Sequence, residues 1–310
     1  MTPRSQHAAL RVDTTLDDAA LAIARSVLYA SLFDYPLTLA QLRQTLIQSA
    51  QTPSQILAVY DRSDPLQEYV EYRDGFFFPR GRYELVAERR RREARSRQFL
   101  LRYRPLLAII CALPFVRMVA LSGSIAHLNL EGTGDLDLFI VTRGRRVWSV
   151  TVLVLVLAKL LRKRRLLCAN FVIADERLAL EQQDLFTASQ IVHLKPLVGY
   201  DVYTRLLAEN PFVKQFYPNF HESDASTLRF VFGSAFERCR RAAEAVLALP
   251  TALLERVCHT AYRAYLLRRS ATWQSPEQVR LQPDCLKLHT QSHRRSVLER
   301  FDRAVRSTLD

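Results

Sequence analysis

The chain has 310 residues, of which 49% are hydrophobic and 24% charged, with only 8 glycines. This composition predicts a folded, helix-rich globular protein of several domains and excludes a largely disordered chain. The 44 Lys and Arg residues outnumber the 31 Asp and Glu residues, and the formal net charge of +13 favours polyanionic partners such as nucleotides or nucleic acid.

The spacing of the cysteines and the length of the apolar segments indicate where in the cell the protein is expected. The five cysteines include no C-x-x-C pair, which favours a reducing cytoplasm over export. The first 13 residues lack the apolar core of a signal peptide, and the apolar run 147–161 is shorter than the roughly 20 residues that a bilayer requires. We therefore expect a cytoplasmic protein without a membrane partner, and no pattern indicates its oligomeric state.

The first region, residues 1–85, carries clear signals of local structure. Apolar residues at helical spacing over 21–32 predict a first helix, and capping boxes that begin at Thr38 and Thr52 predict two more. The dipeptide Asp74-Gly75 between two aromatic segments predicts a β-hairpin. Three helices and a two-stranded wing resemble a winged helix-turn-helix.

A winged helix makes nucleic acid a candidate partner, because its third helix can enter a major groove. Here the third predicted helix, 54–62, has few residues suited to reading bases, and Asp61 and Asp64 would repel phosphate. Packing or protein contact is therefore an equal alternative for this unit.

Residues 86–114 are predicted to form basic linker helices. The helical pattern 84–104 contains the arginine run 89–92, with glutamates at spacings that allow ion pairs. Such a run usually forms a solvated helix face, and contact with phosphate is the sharper alternative. Pro105 and Pro114 are expected to bracket a short apolar stretch that leads into the next domain.

The apolar run 116–121 predicts a strand that ends at Ser122, with a helix expected to start directly afterwards. A glycine lets the backbone approach a ligand closely, and the N–H groups of a helix N-terminus bind anions. Gly123 and Ser124 are therefore candidates to hold the phosphates of a nucleotide. Because Gly-Ser pairs are common, the weight of this prediction depends on the residues that follow.

Two acids follow, the first of them eleven positions after Ser124. Asp135 and Asp137 open an otherwise apolar predicted strand, in which residues two apart share a face with Cα atoms about 6 to 7 Å apart. Acidic side chains at the start of an apolar strand destabilise the fold unless they are solvated or paired, so their presence predicts a bound cation. Hard carboxylate ligands favour Mg²⁺, with Mn²⁺ as the alternative, shared with substrate phosphates.

Gly123-Ser124 followed by Asp135-x-Asp137 on a strand resembles the nucleotidyltransferase superfamily, the DNA polymerase beta-like enzymes. The match covers about residues 116–174, and the wider layout resembles bacterial nucleotidyltransferase-domain proteins with an N-terminal winged helix. The resemblance implies an α/β (α+β) fold whose core, residues 115–181, is a small mixed sheet with flanking helices.

The resemblance also implies an activity. A nucleoside monophosphate would pass from a nucleoside triphosphate to a hydroxyl acceptor, which could be RNA, protein or a small molecule. Asp135 and Asp137 would be the catalytic metal ligands, and Gly123 and Ser124 would contact the phosphates.

The superfamily usually adds a third carboxylate from a neighbouring strand. The strand predicted over 166–173 has Asn170 near its middle, and an amide neither supplies charge nor accepts a proton usefully. Asp175 and Glu176, just beyond that strand, are the candidates to replace it. If neither does, the chain is expected to bind nucleotide without turnover, as a sensor, or to be a DNA-binding regulator with a vestigial core.

Residues 182–310 are predicted to be a helical region that helps to bind the acceptor. The clearest helical patterns cover 228–249, 253–267 and 292–309, with a break at Pro250. His289 and His293 have a spacing that can bind metal on a helix, but a packing or surface role is favoured because no second ligand pair accompanies them.

Overall fold

A computed structural model describes residues 16–132, 134–222, 229–290 and 293–309 of a mixed α/β protein with two β-sheets. Parts of the predicted segments, namely residues 1–13, Leu228, Thr133 and Ser292, lie outside these ranges.

The N-terminal unit combines four helices with a small antiparallel sheet. The helices are α1 (Asp18–Ser31), α2 (Leu39–Gln44), α3 (Pro53–Arg62) and α4 (Asp64–Tyr69). The sheet has the order β1-β3-β2, and its strands are β1 (Leu37–Thr38), β2 (Val70–Arg73) and β3 (Phe76–Pro79). Neither α4 nor β1 was predicted from the sequence, since both are too short for a periodic pattern.

The local signals in this unit are confirmed. Both capping boxes form, with the side chains of Thr38 and Thr52 each accepting a hydrogen bond from a backbone N–H three residues later. Asp74 and Gly75 have φ angles of 52° and 81°, the left-handed pair that a two-residue hairpin turn requires. The first three helices and the hairpin therefore lie where the sequence predicts them.

Helix α5 (Glu84–Ala112) joins this unit to the central sheet and corrects two predictions. It continues through Pro105, which was expected to end it, because Pro105 lies on an exposed face where water can satisfy the freed carbonyl. The arginine run is not uniformly solvated either. Arg89 and Arg92 are only 3% and 8% exposed, Arg89 stacked on the Tyr35 ring and Arg92 paired with Glu131.

The central sheet has six strands in the order β7-β4-β5-β6-β9-β8. Its strands are β4 (Val116–Leu121), β5 (Leu136–Thr142), β6 (Leu167–Ala174), β7 (Lys195–Val198), β8 (Val279–Gln282) and β9 (Cys285–Leu288). The sheet is mixed, since β5 and β6 pair in parallel and the other neighbours are antiparallel. The one-turn helix α6 (Gly123–Ala126) follows β4, and α7 (Val147–Leu160) makes the crossover between β5 and β6.

The C-terminal region is less helical than predicted, because β7, β8 and β9 complete the sheet. Its helices are α8 (Leu185–Val192), α9 (Tyr200–Ala208), α10 (Phe212–Phe216), α11 (Ser234–Arg268) and α12 (Arg294–Leu309). Helix α11 runs through Pro250, which was expected to separate two helices. Pro250 is exposed, as is Val246 one turn before it at 79%, so the freed carbonyl faces water.

The sheet separates two apolar cores. One face packs under α5, α7 and α11 through alternate strand residues such as Leu138, Ile140 and Val172. The other face packs under α8, α9 and α12, with Phe139 and Ile173 among its buried residues. Asp137 lies on this second face, because it is two residues before Phe139 on β5.

A membrane-spanning helix needs about 20 apolar residues in sequence. Within the four described ranges, no helix is both long and apolar enough to cross a membrane.

Candidate metal and nucleotide site

The two predicted carboxylates lie together at the beginning of β5. Asp135 directly precedes the strand and Asp137 is its second residue, while Leu136 and Leu138 between and beyond them are buried in the opposite core. A carboxylate oxygen of each aspartate and the Cys168 sulfur all lie within 4.8 Å of one another. The predicted convergence of the two acids on one face is therefore present.

Gly123 lies directly against this pair. Its φ of +62° is a conformation that residues with a side chain rarely adopt, and a Cβ built on it would stand 2.4 Å from Asp137 Oδ2. The Ser122 N–H donates to the Asp137 carbonyl at 2.9 Å, which holds the turn in place. Only glycine fits here without moving the carboxylate, so the turn and the acids form one unit.

Ser124 is exposed and lines the same cleft as the two acids. The helix that was expected to start here is only the four residues of α6, too short for a substantial helix dipole. A bound phosphate would therefore be held by the exposed hydroxyl and individual N–H groups of this turn. This corrects the prediction of a helix N-terminus as the anion site.

The electrostatics of the pair depend on burial. Burial, together with the neighbouring charge of Asp135, raises the pKa of Asp137 to about 7 from an ordinary value of 3.8, and a hydrogen bond from Asn170 opposes the rise. The carboxyl of Asp137 therefore loses its proton only as the pH approaches neutrality. A divalent cation would displace that proton and remove the repulsion.

Asn170 reaches the pair through an irregularity in β6. Asp137 is aligned with Cys168 and Phe139 with Phe171, so β6 contains one more residue than β5 over this stretch. The Asn170 Nδ2 atom donates to Asp137 Oδ1 at 3.2 Å. The residue therefore occupies the place predicted for a third carboxylate and brings an amide donor there.

Asp175 and Glu176 do not join the site. They follow the far end of β6, where Thr142 pairs with Ala174, roughly 16 Å along the strands from Asp137 at about 3.3 Å per residue. Asp175 Oδ1 accepts a hydrogen bond of 2.7 Å from the Gly144 N–H and so stabilises a turn. The prediction that one of them replaces the missing acid is wrong, because the strand carries them away from the pair.

Cys168 is a neighbour that the sequence interpretation missed. Its sulfur lies 3.5 Å from Asp135 Oδ2, and burial with the two nearby carboxylates raises the pKa of the thiol to about 12. The thiol therefore remains protonated and donates to the carboxylate. The sequence did contain a signal for this position. Cys168 is two residues before Asn170 on a predicted strand, so both side chains are expected on the same face.

The pair opens into a large cleft of about 960 Å³. Its walls come from the N-terminal unit, from the site residues and from the C-terminal region, and include Tyr35, Phe171, Lys287, His289 and Arg300. This volume is at the upper end of what small-molecule sites occupy.

Histidines near the two acids have separate environments. His127 packs against His193, with ring centroids 4.0 Å apart, and burial lowers the pKa of both rings. His289 follows β9, and α12 begins at Arg294 after His293, so these two histidines do not share a helical turn. Both nevertheless line the cleft.

Comparisons with family models, with curated proteins and with solved structures returned no match to this chain. The nucleotidyltransferase resemblance therefore stays a prediction that depends on the residues themselves.

Proposed function

We propose that the chain is a Mg²⁺-dependent nucleotidyltransferase. The observation that supports this best is the close approach of Gly123 to Asp137, since it joins a glycine turn, suited to phosphate, to a half-buried carboxylate pair, suited to a divalent cation. On this proposal residues 115–181 are the centre of a nucleotidyltransferase core, and the N-terminal unit is a winged helix-turn-helix.

The donor atoms fit the proposed ion. Two carboxylates in hydrogen-bonding distance of neutral groups provide hard oxygen ligands for Mg²⁺ or Mn²⁺ and leave coordination positions for water and substrate phosphate. Partial burial and the charge of Asp135 raise the pKa of Asp137, and a bound divalent cation would oppose both effects.

When bound, the metal would supply charge neutralisation for the phosphates and for the attacking oxygen. Asp135 and Asp137 would hold it, and Gly123 and Ser124 would orient the triphosphate along the cleft. The acceptor hydroxyl oxygen forms the new bond to the α-phosphorus, the bond from that phosphorus to the bridging oxygen breaks, pyrophosphate leaves, and the hydroxyl proton passes to water.

Asn170 favours a second candidate function, a nucleotide sensor without turnover. Its amide donates to Asp137 where a carboxylate would accept a proton, so chemistry that needs a strong base receives little help. A hydrogen bond of 3.0 Å from the Tyr35 hydroxyl to the His127 carbonyl connects the N-terminal unit to the segment that contains Gly123. Through this contact, nucleotide binding could be reported to a DNA-binding unit.

One experiment separates the two functions. The full chain is incubated with each α-labelled nucleoside triphosphate, Mg²⁺ and cell extract, beside a variant with Asp135→Ala and Asp137→Ala, and beside Asp175→Asn as a matched control. Label transferred by the wild type and the control, and lost in the double variant, supports the transferase. Mg²⁺-dependent binding without transfer to any fraction contradicts it and supports the sensor, and the absence of binding contradicts both.

A further inference from the structure

Lys287 lies on the same face of the central sheet as the carboxylate pair. It is aligned with Phe171 on the neighbouring β6, and Phe171 is aligned with Phe139 on β5, two residues after Asp137. Aligned residues of adjacent strands point to the same face. Because neighbouring strands are about 4.8 Å apart, Lys287 is about 10 Å across the sheet from β5.

The amine of Lys287 has only neutral partners among the described residues. Its Nζ atom donates to Gln182 Oε1 at 2.8 Å, and Gln182 in turn donates to Gln278 Oε1 at 3.0 Å. The amine also lies 5.4 Å from the centroid of the Phe171 ring. Asp184, an acid whose charge acts on the amine, already binds Arg294.

This environment is unfavourable for a charged amine. Burial and the nearby charges of Arg280 and Arg294 lower the pKa of Lys287 to about 8. A buried cation is stable when an anion pairs with it, and no carboxylate of the described chain does so. An ammonium has three donors, and Gln182 uses one of them.

The wall around Lys287 is cationic. Arg294 and Arg300 line the cleft together with Lys287, and the charges of Arg280 and Arg294 are near enough to lower the pKa of Lys287. Asp135 and Asp137 line the same cleft two strands away. The cleft thus has one end that attracts cations and one that attracts anions.

We propose that Lys287 is the centre of a second binding subsite, which takes a phosphate group and lies about two strands from the carboxylate pair. The inference deepens the proposed function, because the phosphate would belong either to the donor triphosphate or to a phosphorylated acceptor. Gln182 positions the amine by its hydrogen bond. Arg300, which also lines the cleft, adds a positive charge that attracts the phosphate at longer range.

The test measures binding of inorganic phosphate and tripolyphosphate to the full chain by calorimetry in the presence of EDTA. Lys287→Met should weaken tripolyphosphate binding by about 10- to 100-fold, the usual effect of losing a charge-assisted hydrogen bond, and Lys287→Arg should retain most of it. Lys159→Met removes an exposed lysine at the end of α7 and is the matched control, expected to bind as the wild type does.

Equal affinity of the wild type and Lys287→Met for tripolyphosphate overturns the inference. Thermal unfolding of Lys287→Met checks that the variant folds, which we expect because the change removes a buried charge. The assay contains no divalent metal, so it is independent of the proposed metal site. Failure of Asp135 and Asp137 to bind Mg²⁺ would remove the proposed function and leave this measurement unaffected.

A competition experiment identifies the source of the phosphate. If inorganic phosphate competes with Mg²⁺-ATP for the wild type but not for Lys287→Met, the subsite holds the donor's phosphates. If phosphate and Mg²⁺-ATP bind together, and only phosphate binding depends on Lys287, the subsite holds a phosphorylated acceptor.

Discussion

The two ends of the cleft differ in the sign of the charge that they bring together, since one end has two carboxylates and the other has a lysine amine. At one end Asp135 and Asp137 approach each other closely enough that burial and mutual repulsion keep a proton on Asp137 near neutral pH. At the other end the half-buried Lys287 contacts the uncharged Gln182 and Phe171. The described chain pairs no opposite charge with either end, although the two ends are only two strands apart on one sheet face.

The difference between the ends indicates what the cleft is built to hold. The sheet keeps the opposite charges apart on different strands, so they do not neutralise each other. A ligand that carries its own cation and extended negative charge, such as a metal-bound nucleoside triphosphate, would satisfy both ends together. Unpaired charges at the two ends destabilise the folded state, and binding of such a ligand would stabilise it.

Removal of one carboxylate should have the largest effect. Asp137→Asn keeps the shape and the hydrogen bond from Asn170 but removes the charge next to Gly123. We expect Mn²⁺ affinity, measured by electron paramagnetic resonance, and nucleotidyl transfer to fall at least about 100-fold. Tripolyphosphate binding in EDTA should not fall. Metal affinity within twofold of the wild type would contradict the assignment of this end.

Gly123→Ala should reduce metal affinity through geometry alone. The new Cβ would collide with Asp137 Oδ2 at 2.4 Å, so the carboxylate must turn away, and we expect a 10- to 100-fold loss of Mn²⁺ affinity by the same measurement. Gly144→Ala is a matched control, because Gly144 also has a positive φ, of 54°, but meets no atom within 4 Å. Both variants should lose about 1 to 3 kcal/mol of stability to backbone strain. Equal metal affinities in the two would show that the contact has no role.

Cys168→Ser should change the choice of metal. A thiol adjoining two carboxylates adds a soft ligand that Zn²⁺ can use on displacing its proton, whereas Mg²⁺ and Mn²⁺ prefer oxygen. We expect calorimetry to give about a tenfold or greater loss of Zn²⁺ affinity in the variant and less than a twofold change for Mn²⁺. A parallel loss for both metals would mean that Cys168 serves the site structurally.

Asp175→Asn should have the smallest effect at the site. Its amide oxygen can still accept the hydrogen bond from Gly144, so we expect a stability loss of about 0.5 to 1 kcal/mol by chemical denaturation and unchanged metal affinity and transfer. A large loss of transfer would return Asp175 to the role of third carboxylate, despite its position at the far end of β6.

Local signals predicted local structure well. The capping boxes at Thr38 and Thr52 and the Asp74-Gly75 turn form as expected, because each depends on atoms within three or four residues. The convergence of Asp135 and Asp137 also followed from strand alternation alone. Their contact with Gly123 required the antiparallel pairing of β4 with β5, which no local pattern in the connection 122–135 specifies.

Features that depend on distant pairing were not predictable in this way. Lys287 joins the site only because β9, more than a hundred residues after β6, pairs with it, and four-residue strands carry little periodic signal. The extra residue in β6 brings Asn170 and Phe171 to one face, which strict alternation forbids. The prediction that helices end at Pro105 and Pro250 was wrong for a related reason. The effect of a proline on a helix depends on whether the freed carbonyl reaches water, which depends on the packing around it.

The most direct test of the carboxylate end is thermal unfolding of the wild type and Asp137→Asn at pH 8 and at pH 5, with EDTA and then with Mg²⁺ and ATP. Folding raises the pKa of Asp137 from 3.8 to about 7. Between these two pKa values the folded state holds more protons than the unfolded state, so the free energy of unfolding falls as the pH rises from one to the other.

We therefore predict that in EDTA at pH 8 Asp137→Asn is the more stable protein, by about 2 to 4 kcal/mol, and that at pH 5 the difference is less than half as large. Mg²⁺ and ATP at pH 8 should reverse the order by stabilising only the wild type. A wild type that is the more stable protein in EDTA, and that gains nothing from Mg²⁺ and ATP, would contradict a metal-nucleotide site on Asp135 and Asp137.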